Sequence, residues 1–157
     1  MATAINSQLV EELNDLVQIQ NDRIAGYEKA IEDVQEKNGD LRKVFENMRD
    51  TSMMQRTQLS AHIRSLGGEV TEGTTLSGKI YRAWMDTKSV FTGADRESIL
   101  ENCKYGEEAA QKAYDMALDS DAVISADVRQ MLMAQQQELK LQQKTIAALE
   151  ELADRMD

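Results

Sequence analysis

A chain of 157 residues fits one domain, residues 1–157, and is long enough to bury a real core. It has no proline, one cysteine, 4% aromatic residues and a formal net charge of −10. These values exclude an intrachain disulfide, argue against nucleic acid and anionic membranes as partners, and leave a core of aliphatic residues with nine methionines as soft filler.

The first sixteen residues show no basic region followed by an apolar stretch, and no run approaches 18 apolar residues. The expectation is a cytoplasmic chain without a membrane span, in a reducing compartment that suits the lone Cys103. Alternating steps of three and four through Leu9, Leu13, Leu16, Ile24, Tyr27, Ile31 and Val34 predict a long helix over about 7–36, capped by Ser7. The sequence KNGD (Lys37 to Asp40) predicts a tight turn, with Asp40 capping a second helix over about 40–66. Its stripe is Leu41, Val44, Met48, Leu59 and Leu66, and Gly67-Gly68 stops it, because glycine takes the left-handed position without a steric cost.

The segment from Glu69 to Asp95 is too long for a simple turn. Leu76, Ile80 and Trp84 have helical spacing, which predicts a short helix over about 75–90 lying across the others, pinned by Trp84 and Phe91. A helix over about 95–118 presents Ile99, Cys103, Gly106, Ala110, Ala113 and Ala117, small residues that let a neighbour come close. After a break with Ser120 or Ser125 as cap, a last helix over about 122–155 turns Val128, Met131, Leu139, Ile146, Leu149 and Leu152 inward. Connections that run short, long, short predict an all-α, ferritin-like four-helix bundle with a long crossover that contains a short extra helix.

Ferritin-like bundles that hold two metals place a Glu on each of two helices and a Glu-x-x-His pair on the other two. The candidate ligands for iron or manganese here are Glu28, His62, Glu107 or Glu108, and Glu138. Gln58 and Gln142 stand beside His62 and Glu138, and neutral amides are poor transition-metal ligands. A lone His on a core-facing stripe is more often hydrogen-bonded packing than a ligand. Cys103 reads as a small buried hydrophobe, since no base has a place beside it. No phosphate loop, clustered Cys/His or nucleophile elbow is present.

Two glycines sit in mid-helix 80 residues apart, Gly26 and Gly106, where they read as points of close helix approach. The same spacing relates Gln55 to Gln135, Gln58 to Glu138, Leu59 to Leu139 and His62 to Gln142. It predicts a repeated helical hairpin and a polar core layer of Gln55, His62, Gln135 and Gln142. Glu28 corresponds to Glu107 at a spacing of 79 and to Glu108 at 80, and both remain open.

The stretch ILENCKYGEEAAQKAYDMAL (Ile99 to Leu118) resembles a bacterial family of uncharacterised ferritin-like four-helix-bundle proteins, a domain of unknown function. That family's third helix carries G-E-[DE]-A-A-x-K-A-Y, matched by Gly106, Glu107, Glu108, Ala109, Ala110, Lys112, Ala113 and Tyr114. The likeness continues in NDRIAGYEKAIEDV (Asn21 to Val34), in LGGE (Leu66 to Glu69) and around GKIYRAWMDTKSVFTG. It implies the fold and no settled activity. Family members often carry Glu where Gln58 stands and His-Asp where Gln143-Lys144 stands, which lowers the expectation of bound metal. The sequence therefore reads as a structural or interaction protein, not an enzyme and without cofactor. It would associate as a homo-oligomer through the small-residue face of helix 95–118. The alternative is an iron or manganese protein with oxidase or storage activity.

Overall fold

The computed structural model describes residues 4–34, 38–71, 79–87 and 95–156, which form five helices and, among the described residues, no strand. They are α1 (Ala4–Asp33), α2 (Gly39–Ser65), α3 (Lys79–Thr87), α4 (Arg96–Leu118) and α5 (Ala126–Met156). Leu76, Phe91, the expected tight turn at 37 and the outer ends of the expected helix 75–90 lie outside the described residues.

The helix ends follow local chemistry, with two corrections. Ser7 lies inside α1 and does not cap it. Asn38, not Asp40, is the residue before α2; Asp40 in the first turn instead takes Arg96 Nη1 and Nη2 at 3.1 and 2.9 Å, tying the start of α2 to the start of α4. At the other end of α2, Gly67 has φ of 84°. The Gly68 amide donates to Ile63 O and the Gly67 amide to Arg64 O, both at 3.0 Å, which satisfies two carbonyls that the helix leaves open. Asp95 caps α4 by accepting from the Ser98 amide at 2.7 Å. Ser125 caps α5 through Val128 N at 3.3 Å, while Ser120 donates to Glu12 at 2.8 Å.

A Cβ at Gly68 would stand 2.6 and 2.9 Å from the two methyls of Val10. Valine is stiff at χ1 and cannot swing clear. Gly68→Ala is therefore expected to cost about 1–3 kcal/mol. By contrast, a Cβ at Gly26 or Gly106 meets nothing within 4 Å, so neither glycine serves close helix approach. Gly26→Ala, at an exposed helical position, is expected to stabilise by up to about 1 kcal/mol. Urea unfolding of the two variants side by side checks both signs.

Side-chain register fixes the directions of the helices. Gln20 pairs with Gln55 and Arg23 with Ser52, so α1 and α2 are antiparallel. Glu12 with Ser120 and Arg23 with Glu107 make α1 and α4 antiparallel as well. Gln55 with Glu138 and Gln58 with Gln135 do the same for α2 and α5. The two helices joined by the long connection, α2 and α4, thus run parallel.

The middle of α1 is enclosed: every residue from Asp15 to Gln20 is buried. On one side α3 is held by two acids seven residues apart, which share a helical face. Asp15 accepts the amides of Ile80 and Tyr81 at 3.1 and 3.2 Å, acting as a cap from another helix. Asp22 accepts the Tyr81 hydroxyl and the Trp84 indole N–H, each at 2.9 Å. Trp84 does pin the crossover helix, with Tyr81 beside it.

Two apolar clusters form the core. The larger contains Leu13, Leu16, Leu59, Ile63, Ala113 and Leu132; the smaller contains Tyr27, Phe45, Met48, Ile99, Leu100 and Ile146. Ala110, Ala113 and Ala117 are buried in the larger cluster, so the small-residue face of α4 is used within the chain and is not free for self-association. Leu152, expected inside, is exposed. No described helix is long and apolar enough to cross a membrane.

Candidate functional site

Polar side chains separate the two clusters. On α1 the steps of four and three run Leu9, Leu13, Leu16, Gln20, Arg23, Tyr27, Ala30 and Val34, all buried. The stripe therefore carries Gln20 and Arg23 into the interior at its centre.

Arg23 organises one half of this centre. Its Nη1 donates to Glu107 Oε1 at 2.6 Å, its Nε to Ser52 Oγ at 3.1 Å and its Nη2 to Gln142 Oε1 at 3.3 Å. The guanidinium lies 5.4 Å from the centroid of the Tyr27 ring, a cation–π geometry, and the Tyr27 hydroxyl also donates to Glu107 Oε1. Burial opposes the charge on Arg23, but the carboxylate of Glu107 outweighs it and holds the guanidinium protonated. Burial, reinforced by Glu107, raises the Tyr27 hydroxyl well above its ordinary value, so it stays a donor. Burial pushes the thiol of Cys103, one turn before Glu107, up to about 12, which leaves a protonated and unreactive sulfur.

Glutamines make the other half. Gln20 Nε2 donates to Gln55 Oε1 at 2.7 Å and to the Tyr114 hydroxyl at 2.9 Å; that hydroxyl donates to Gln135 Oε1 at 2.6 Å. Gln55 and Gln135 bond each other's backbone reciprocally, Gln55 Nε2 to Gln135 O at 3.3 Å and Gln135 Nε2 to Gln55 O at 3.2 Å. Each also reaches the residue three positions beyond its partner: Gln55 to Glu138 at 3.1 Å and Gln135 to Gln58 at 2.9 Å. A buried amide left unpaired costs about 1–3 kcal/mol, and this ladder pairs nearly all of them. Glu107 Oε2 and Gln20 Oε1 are buried with no hydrogen-bond partner in the protein.

The residues singled out from sequence fall as follows. Gln55 and Gln135 meet directly, and Gln142 joins through Arg23. His62 is half-buried near the end of α2, and the core position there belongs to Ile63. Glu107 is fully buried and Glu108 only partly, which decides between them. Glu28 is exposed, and Glu138 is exposed with one oxygen on Gln55. Among the described residues no group of three or more His, Cys, Asp or Glu is placed to hold a metal ion. The sequence places Tyr27 in the α1 stripe and Tyr114 in the α4 motif without a polar role, and Gln20, Arg23 and Ser52 are not singled out by it; for Gln20 and Arg23 the signal is the gap between Leu16 and Ile24 in the α1 stripe.

A second polar feature is an open cleft of about 530 Å³ lined by Glu11, Glu12, Asp15, Asp115, Asp119 and Asp121, with Lys79 at its edge. Burial raises the Glu12 carboxyl, partly offset by the hydrogen bond from Ser120.

A family model described as a domain of unknown function (DUF2383) matches residues 8–120, a span that takes in most of α1 and all of α2, α3 and α4. No curated protein and no solved structure matches the chain.

Proposed function

From a chain that belongs to the family of a domain of unknown function (DUF2383), we infer a self-associating structural or interaction protein. In this reading it is a ferritin-like four-helix bundle whose dinuclear centre has been replaced by a hydrogen-bonded polar core. The parallel run of α2 and α4 supports the ferritin-like arrangement. Reciprocal bonds between residues 80 apart, Gln55 with Gln135, support an internal duplication of a helical hairpin.

The observation that carries the reading is the Arg23–Glu107 pair. The buried carboxylate that a metal would need already holds a guanidinium and a phenol. Divalent cations beside Arg23 would bring like charges together in a site of low dielectric. The neighbouring groups are amides and hydroxyls that bond one another, so the donor set does not fit a two-metal centre. The rival reading, iron or manganese on Glu28, His62, Glu107 or Glu108, and Glu138, keeps one point in favour: Glu107 Oε2 lacks a protein partner.

Elemental analysis after anaerobic addition of Fe(II) or Mn(II) to protein purified without chelator decides between them. The expected content is well below one metal per chain, in the wild type and in His62→Ala alike. Stoichiometric metal that disappears in His62→Ala and in Glu107→Gln would overturn the reading.

A further inference from the structure

The crossover helix α3 has nine residues. A free helix shorter than about 12–15 residues is marginal in water, so α3 depends on what holds it. Ile80, Tyr81 and Trp84 bury their side chains in the larger apolar cluster, none of them more than 5% accessible. Its first turn is held from α1, where Asp15 Oδ2 accepts the amides of Ile80 and Tyr81.

That contact encloses Asp15, which is 2% exposed, in surroundings that oppose a negative charge. Glu11 and Glu12 stand beside it on α1, and Asp115 and Asp119 on α4, with Asp121 beyond, line the same cleft. From α3 comes one cation, Lys79. The Tyr81 hydroxyl, pushed up to about 12 by burial and by its bond to Asp22, stays protonated. One ammonium thus faces five carboxylates besides Asp15.

The two amides favour the ionised form of Asp15, but burial outweighs them and the carboxyl titrates at about 6, against an ordinary 3.8. With α3 lifted away, water reaches the carboxyl and returns it toward the ordinary range. Linkage then fixes the sign. A carboxyl raised by docking favours the docked state fully below about pH 4, loses that advantage as pH rises to about 6, and stays without it above. The difference between 3.8 and about 6 lets the docking equilibrium change by up to about 100-fold. Burial also raises the Glu12 carboxyl, but Glu12 holds Ser120 and not α3.

We propose that α3 is a pH-sensitive strap, closed on α1 and α4 while Asp15 is protonated and opening, without unfolding of the other helices, as Asp15 ionises. Opening uncovers Ile80, Tyr81 and Trp84. The strap requires neither self-association nor the absence of metal. Hydrogen exchange of the full chain, followed by NMR from pH 4 to 7 and corrected for the intrinsic rates, tests it. The amides of Ile80, Tyr81 and Trp84 are expected to be at least about tenfold less protected at pH 7 than that of Leu59, in the buried middle of α2, which marks local opening. Their protection is expected to fall up to about 100-fold between pH 4 and 7. Asp15→Asn, which keeps an oxygen for the two amides, is expected to remove that fall, and Glu12→Gln to keep it. Protection of α3 equal to that of Leu59 throughout would overturn the strap, and so would a wild type that shows no fall. A fall that survives Asp15→Asn, or that Glu12→Gln removes, would overturn the assignment to Asp15.

Discussion

Arg23→Met is expected to lower the unfolding free energy by about 3–5 kcal/mol, because it strands Glu107 as an uncompensated buried charge. Both side chains are essentially inaccessible to solvent. Removing the guanidinium also takes partners from Ser52 and Gln142. The loss measures the cost of an unpaired charge, not the net worth of the pair, and a second experiment separates the two. Adding Glu107→Leu removes the charge, and Tyr27→Phe removes the hydroxyl that would then lack its acceptor. The triple variant is expected to recover to within about 1–2 kcal/mol of the wild type, since well-packed apolar residues often replace a buried pair at little cost. Urea titrations at pH 7 check both outcomes. A single Arg23→Met within about 1 kcal/mol of the wild type would refute the assignment of this pair as the charge-compensated centre.

Asp15→Asn is expected to stabilise the protein at pH 7 and to do nothing at about pH 3.5. Burial holds the Asp15 carboxyl up at about 6, against an ordinary 3.8. The amides of Tyr81 and Ile80 pull it down, while Glu11 and Glu12 push it up. The folded state therefore binds this proton more tightly than the unfolded chain. Stability from this group is greatest below about pH 4, falls as pH rises through the window from about 4 to 6, and stays low above it. Two pKa units correspond to about 2–3 kcal/mol at neutral pH. An asparagine keeps an oxygen for the two amides of α3 and can turn its NH2 toward the acids of the cleft. Thermal unfolding across this range should show a slope in the wild type that Asp15→Asn reduces. Equal slopes would mean that Asp15 does not titrate in that window.

Much of the fold was legible because it depends on local chemistry. Gly67-Gly68 ended α2 as expected, and Ile80 and Trp84 marked a helix in the crossover through spacing alone. The interior was less legible. A stripe chosen for its apolar residues passes over Gln20 and Arg23, although they continue the same steps of three and four. Only the partners on α2 and α4 reveal that these positions are inside. Glu107 and Glu108 differ by one step of a helix, about 100°, and the repeat spacing was ambiguous by that same step. The tertiary packing of Ala110, Ala113 and Tyr114 decides it, since Glu107 lies three, six and seven residues before them. The small-residue stripe of α4 misled for a related reason: it marked a close contact correctly but not whether that contact lay within one chain or between two.

The enclosure of α1 also sets a timetable for biosynthesis. Gln20 finds its hydroxyl partner at Tyr114, 94 residues downstream. At about 5–20 residues per second, a ribosome would hold the apolar flank of α1 without its final cover for roughly 5–20 s. α1 is thus made well before the last of the helices that shelter it.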